Sequence, residues 1–254
     1  MSWRESMAEP ADLDVAWTRG RVARRLRELL ICGVLGPLMD VYTQRRVARR
    51  ERLERLKGPA IFVANHNSHM DTPVILRALP GRLRRRTAVA AATDYFYATR
   101  RNAVAASLVF GTMPLDRNSG AGVGARQTAH LGRHLRQGGS LLLFPEGTRS
   151  RDGRVGRLRS GAALLAAKHD VPIVPIYMSG TREAMPRGHR WMVFKARRPG
   201  PRHRIEICFG DPIVPLPGER ASEVMERVRS FLAECGAHTK REREPERART
   251  RQPA

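Results

Sequence analysis

The stretch Asn65-His66-Asn67-Ser68-His69-Met70-Asp71 sets an imidazole and a carboxylate five positions apart. An aspartate that accepts a hydrogen bond from one imidazole nitrogen sets the tautomer and leaves the other nitrogen to act as a base. A His-x4-Asp spacing alone is common in chains of this length, and satisfied loop residues are its ordinary explanation. Its surroundings add weight. The apolar run Ala60-Ile61-Phe62-Val63-Ala64 leads into it and reads as a buried strand. Thr72-Pro73-Val74-Ile75-Leu76 follows Asp71 as a first helical turn with Pro inside its start. His66 is therefore expected at the carboxyl end of a strand, where α/β sheets bind ligands, and Asp71 near a helix start.

Three further clusters follow a similar plan. Phe144-Pro145-Glu146-Gly147-Thr148-Arg149-Ser150 comes after the run Ser140-Leu141-Leu142-Leu143-Phe144. It combines a carboxylate, a permissive glycine and a guanidinium suited to gripping a phosphate with two N–H bonds. A polar turn with a surface ion pair would look the same. Gly111-Thr112-Met113-Pro114-Leu115-Asp116-Arg117 offers a second arginine at a strand end, which could equally be solvated. Val171-Pro172-Ile173-Val174-Pro175-Ile176 is an apolar strand carrying two prolines, which suits either an edge strand or a ladder broken where a loop approaches. Gly120-Ala121-Gly122-Val123-Gly124 lies between strand and helix but lacks dinucleotide-site spacing, and no Walker lysine is present.

The elements that must position these clusters alternate. Strands are expected at 60–64, 87–92, 112–115, 140–144, 172–178 and 204–209, and helices at 72–79, 98–110, 122–137, 160–169 and 221–235. That order predicts an α/β fold with a central, mostly parallel or mixed sheet flanked by helices. Ahead of it, a basic helical pattern at about 12–30, an apolar patch at 29–39 broken by glycines and a proline, and a second basic helix at about 44–57 predict an amphipathic pair. Such a pair suits docking on a membrane surface, or two helices packed on the core. The divisions expected are 1–57 for the docking helices, 58–236 for the main domain and 237–254 for a disordered basic tail.

The formal net charge of +23 implies an anionic partner. The excess is nearly all arginine, a pattern that high-GC coding also produces. Nucleic acid is not expected, since charge is its only support and no nucleic-acid module is recognisable. Cys32, Cys208 and Cys235 are odd in number and widely spaced, which argues against a disulfide framework or zinc site. Neither a secretory signal nor a spanning segment is expected.

Taken together, the four blocks Asn65–Asp71, Gly111–Arg117, Phe144–Ser150 and Val171–Ile176 resemble the glycerophospholipid acyltransferase family, in particular the bacterial 1-acyl-glycerol-3-phosphate acyltransferases. The resemblance spans roughly 58–212 and is most specific in the first and third blocks. It implies transfer of an acyl group from acyl-CoA or acyl carrier protein to the hydroxyl of lysophosphatidate, in phospholipid synthesis. His66 would be the general base and Asp71 its partner. Arg117 and Arg149 would hold the acceptor phosphate, with Glu146 and Gly147 shaping the pocket and Glu146 ordering Arg149; Thr148 is a further donor. Glycerol 3-phosphate, another lysophospholipid or a glycolipid could also serve as acceptor. A lipid ester or thioester hydrolase could use the same His66 and Asp71, whereas a catalytically silent membrane scaffold would not need the pair intact. No metal or organic cofactor is implied. The protein would sit peripherally or monotopically on the cytoplasmic face of an anionic membrane.

Overall fold

The computed structural model describes residues 13–93, 97, 99–115, 128–150, 152–189, 191–195 and 201–250. Among them, seven strands form one sheet: β1 (Thr43–Ala48), β2 (Ile61–Ala64), β3 (Thr87–Ala92), β4 (Thr112–Leu115), β5 (Ser140–Leu143), β6 (Ile173–Ser179) and β7 (His203–Phe209), in the order β1-β7-β6-β2-β5-β3-β4. Every neighbouring pair is parallel except β6 and β7, so the sheet is mixed. The helices are α1 (Arg21–Leu29), α2 (Gly36–Tyr42), α3 (Asp71–Ala78), α4 (Gly81–Arg84), α5 (Arg100–Phe110), α6 (Ala129–Arg136), α7 (Gly161–His169), α8 (Thr181–Ala184) and α9 (Ala221–Thr250). A π-helical turn, Leu30–Leu35, joins α1 to α2.

Side chains alternate across the sheet, and each face buries a different helical layer. Ile61 and Val63 of β2 cluster with Leu131 and Leu135 of α6, Ala162 and Ala166 of α7, and Val228 of α9. Phe62 and Ala64 cluster with Val74 and Ile75 of α3 and Ile31 and Met39 of the N-terminal helical run. β2 lies between β5 and β6, so three consecutive parallel strands deliver their following loops to one edge of the sheet.

Three expectations are corrected. Residues 44–57 are not a second basic helix. They form the edge strand β1, in parallel register with β7 from Thr43↔His203 to Ala48↔Cys208, and then a 3-10 turn, Arg50–Arg55. Pairing with β7 overrides local helix propensity, and the arginines suit a strand with one open edge. The N-terminal apolar patch, expected to be broken at its glycines and proline, is helical throughout. Arg77 of α3 fastens it by donating to both Asp40 carboxylate oxygens at 2.7 and 2.6 Å and to the Gly36 carbonyl at 2.9 Å. At the other end, α9 continues to Thr250 where a disordered tail was expected from 237. Arginine and glutamate are good helix formers, and they extend a helix that the packed segment before them has already nucleated.

β6 is an interior strand despite its prolines, so the edge-strand reading is also set aside. β7 pairs with β6 only from Ile176↔Phe209 onward, and the next residue, Gly210, sends its N–H to the Pro175 carbonyl at 2.8 Å. A Cβ at Gly210 would stand 2.5 Å from the Pro175 ring, so the ladder ends where a proline and a glycine face each other.

His134 of α6 is buried, and its Nε2–H faces the Arg86 and Ser140 carbonyls, each at 3.2 Å. Burial, followed by the charge of Arg19, pushes this imidazole from 6.5 down to about 4. A depressed folded-state value gives stability that is present above the unfolded value and lost as pH falls toward 4. His134→Gln should therefore lose less stability between about pH 7 and about pH 5 than the parent, as read from urea midpoints.

Candidate active site

The loops after β2 and β5 meet at His66. Its Nδ1 lies 2.8 Å from Asp71 Oδ2. The same oxygen accepts the backbone N–H groups of Asn67 at 2.6 Å and Ser68 at 2.9 Å. Asp71 has 0% exposure, and it opens α3, where the helix dipole favours a negative charge. Three N–H donors on one carboxylate oxygen set both the tautomer and the direction of the imidazole. That leaves Nε2 as the ring nitrogen able to accept a proton, and His66 lines a large cavity.

The β5 loop grips His66 from three sides. Phe144 stacks on the imidazole with ring centroids 4.1 Å apart. Glu146 Oε1 accepts the His66 backbone N–H at 2.8 Å, and the Ser150 N–H donates to the His66 carbonyl at 2.7 Å. Glu146 Oε2 accepts the Gly156 N–H at 2.9 Å. Both oxygens of Glu146 are thus engaged by backbone, so it clamps the two loops together rather than ordering Arg149. Burial pushes its carboxyl above the ordinary carboxylate range, against the pull of those two donors. Gly147 has φ +72, in the left-handed region, and a Cβ there would stand 3.2 Å from Arg159 Nε. Thr148 is exposed and Arg149 half-buried, and both line the cavity.

β6 supports the same loop from the other side. Asn65, buried, donates to the Met178 carbonyl and accepts the Met178 N–H, each at 2.8 Å. Asn67 donates to the same carbonyl at 3.2 Å, and Ser68 Oγ donates to the Met185 carbonyl at 2.8 Å. These residues lie inside the first block, yet only the fold reveals what they bond. Phe144, Ser150 and Gly156 belong to the same group of positioning residues that sequence reasoning missed. His69 also lines the cavity. Burial, then the charges of Arg149 and His66, push it down to about 4, so it is neutral near pH 7. Arg117 and the glycine run 120–124 lie outside the described residues.

The cavity is about 2060 Å³ and has two characters. Part of its lining is basic, with Arg149, Arg154, Arg157 and Arg187 among its residues along with His66. Elsewhere Leu35, Leu38, Met39, Phe110 and Leu165 line it, so it runs to the N-terminal helical segment. Among the described residues, no group of three or more His, Cys, Asp or Glu side chains could hold a metal ion.

The sequence pattern of the acyltransferase family matches residues 41–179, a span that contains both loops and β6. The chain belongs to the acyltransferase family. It is 31% identical over 193 residues to the chloroplastic 1-acyl-sn-glycerol-3-phosphate acyltransferase BAT2 of Brassica napus, covering 72% of this chain and 48% of that protein. It is 34% identical over 179 residues to N-acylphosphatidylethanolamine synthase of Arabidopsis thaliana, covering 64% of this chain and 60% of that one. The chain spans about half the length of the first of these relatives. Its fold matches the crystal structure of the 1-acyl-sn-glycerophosphate (LPA) acyltransferase of Thermotoga maritima with a TM-score of 0.61 at 22% identity, covering 88% of this chain and 83% of that one.

The geometry around Asp71 makes a stability prediction. Asp71→Ala strands the donors on His66, Asn67 and Ser68 and should cost about 3–5 kcal/mol. Asp71→Asn retains an oxygen for those donors and should cost less than half as much. Urea melts of the two variants beside the parent test the order.

Proposed function

We propose that this member of the acyltransferase family moves a fatty acyl group from a thioester donor, acyl-CoA or acyl carrier protein, to the free hydroxyl of lysophosphatidate, giving phosphatidic acid. The observation that carries this reading is an oriented imidazole in a cavity that is lined by both arginines and apolar side chains. A free hydroxyl is a poor nucleophile at neutral pH, so a base must take its proton as it attacks. His66 Nε2 takes that proton while the hydroxyl oxygen bonds to the thioester carbonyl, and Asp71 stabilises the imidazolium. The tetrahedral adduct then expels the thiolate, which recovers the proton from His66. A thiol, with a pKa near ~8.5, leaves more readily than an alkoxide, so no acyl-enzyme is needed.

The acceptor's phosphate is assigned to Arg149, with Arg117 as a second contact and Thr148 as a donor at the rim. Glu146 and Gly147 serve by shape: one clamps the loops and the other makes the turn. A relative that acts on a different lipid, named N-acylphosphatidylethanolamine synthase, supports a second reading in which this scaffold acylates another phospholipid acceptor.

The membrane is the proposed source of substrate. Along the N-terminal helical run, Val22, Leu26, Leu29, Leu38 and Val41 are exposed, with Arg21 and Arg25 beside them. An apolar stripe bordered by arginines suits insertion into the interface of an anionic leaflet on the cytoplasmic face. No described helix is long and apolar enough to cross a membrane. Leu35 and Leu38 of this run also line the cavity, which supports entry of a lipid tail from the interface.

With acyl-CoA and 1-acyl-glycerol 3-phosphate in mixed micelles, the parent should form phosphatidic acid and His66→Ala should lose at least about 10²-fold in kcat. Equal turnover by the variant would remove His66 as the base, and free fatty acid without an acylated acceptor would make the protein a hydrolase. Arg149→Ala should raise the KM for the phosphorylated acceptor by about tenfold or more, and an unchanged KM and kcat would reject its phosphate role. Replacing Leu26 and Leu29 with Glu should abolish flotation with phosphatidylglycerol vesicles. Undiminished flotation would remove the docking stripe.

A further inference from the structure

Away from this site, the fold brings together two of the three cysteines. Cys208 lies on β7 directly opposite Tyr177 of β6, so both side chains project from the same face of the sheet. α9 covers that face: Val228 and Leu232 pack into its apolar cluster, and a Cβ at Gly236 would stand 3.5 Å from the Tyr177 ring. Cys235, the residue before that glycine, is buried and lies on the same side of α9 as Val228 and Leu232, which sets it against the β6–β7 pair that carries Cys208. The two sulfurs differ in setting. Cys208 is half-buried and feels the positive charges of Arg49 and Arg52, whereas Cys235 is buried. Cys32, on the N-terminal π-helical turn, is the remaining thiol.

We infer that Cys208 and Cys235 are a redox-active thiol pair that a hydroperoxide closes into a disulfide, fastening the C-terminal helix to the sheet. The neighbouring Cys235 thiol, then the charges of Arg49 and Arg52, hold the Cys208 thiol below the ordinary cysteine value against the opposing effect of burial, which favours its thiolate. The thiolate attacks one peroxide oxygen and breaks the O–O bond, giving a sulfenic acid and hydroxide. The Cys235 sulfur then displaces the sulfenic oxygen, which leaves as water after taking up a proton. The two sulfurs are oxidised by two electrons in all, and the peroxide is reduced to water. Cys235 is kept protonated until that second step, since the neighbouring Cys208 and burial both raise it. A thiol such as dithiothreitol reverses the bond by exchange.

The test uses the full chain, hydrogen peroxide and alkylation under denaturing conditions, followed by non-reducing peptide mapping. The treated parent should alkylate at Cys32 alone and yield a crosslinked Cys208–Cys235 peptide that dithiothreitol removes. Cys208 should react at least about tenfold faster than Cys32. In Cys235→Ser, Cys208 should accumulate as a sulfenic acid that dimedone captures. Equal rates at Cys208 and Cys32 would overturn the proposal. So would a parent in which Cys208 stops at the sulfenic acid, or in which the disulfide that forms joins Cys32.

Discussion

A carboxylate with no solvent exposure depends on the chain around it for hydrogen-bond donors, and Asp71 imposes that demand on the loop between β2 and α3 through its Oδ2, its Oδ1 being buried without a partner. One of its oxygens collects the His66 imidazole and two backbone N–H groups, and the helix it opens contributes a favourable dipole. The loop conformation and the direction of His66 are consequences of the same buried charge. An orienting acid placed in solvent could hold the imidazole only loosely, because water would compete for every donor.

The sheet order supplies the walls. β2 sits between β6 and β5, so Asn65 locks to Met178 on one side while Phe144, Glu146 and Ser150 hold His66 on the other. Neither neighbour is adjacent in sequence. The parallel arrangement brings both to the same edge, where successive strands end and their polar loops can converge. α3 carries Asp71 at one end and Arg77 toward the other, and Arg77 fixes the N-terminal helical run through Asp40 and Gly36. The proposed membrane stripe and the proposed base are thereby joined through one short helix. That rigid link suits a site that must accept a lipid at a defined depth.

Much of this arrangement is legible in the residues alone. The strands at 87–92 and 112–115 are expected with the bounds they have, and β2, β5, β6 and β7 each lie within a residue of expectation at either end. They are short apolar runs ended by polar or glycine-rich turns, so local composition suffices. β1 is not legible, because an arginine-rich segment with one strong apolar residue carries no strand pattern of its own; it is a strand only because β7 offers a partner edge. The continuation of α9 escapes notice for a related reason, since alternating Arg and Glu are read by composition as solvated chain. Pro175 points toward an edge strand, but Gly210 opposite it makes an interior position acceptable.

By itself, the sequence determined the alternation of strands and helices, the chemistry offered by His66, Asp71, Glu146 and Arg149, and their position at strand ends. Those properties are local: side-chain type, hydrophobic period and turn residues are all contained within a few positions. Only the tertiary structure decided that Glu146 clamps the His66 backbone instead of pairing with Arg149, that Asn65 answers to Met178, and that α9 brings Cys235 to the sheet face that carries Cys208. Each of these is a contact between segments far apart in the chain. Which donor meets which acceptor depends on strand order and register, and no local pattern encodes either.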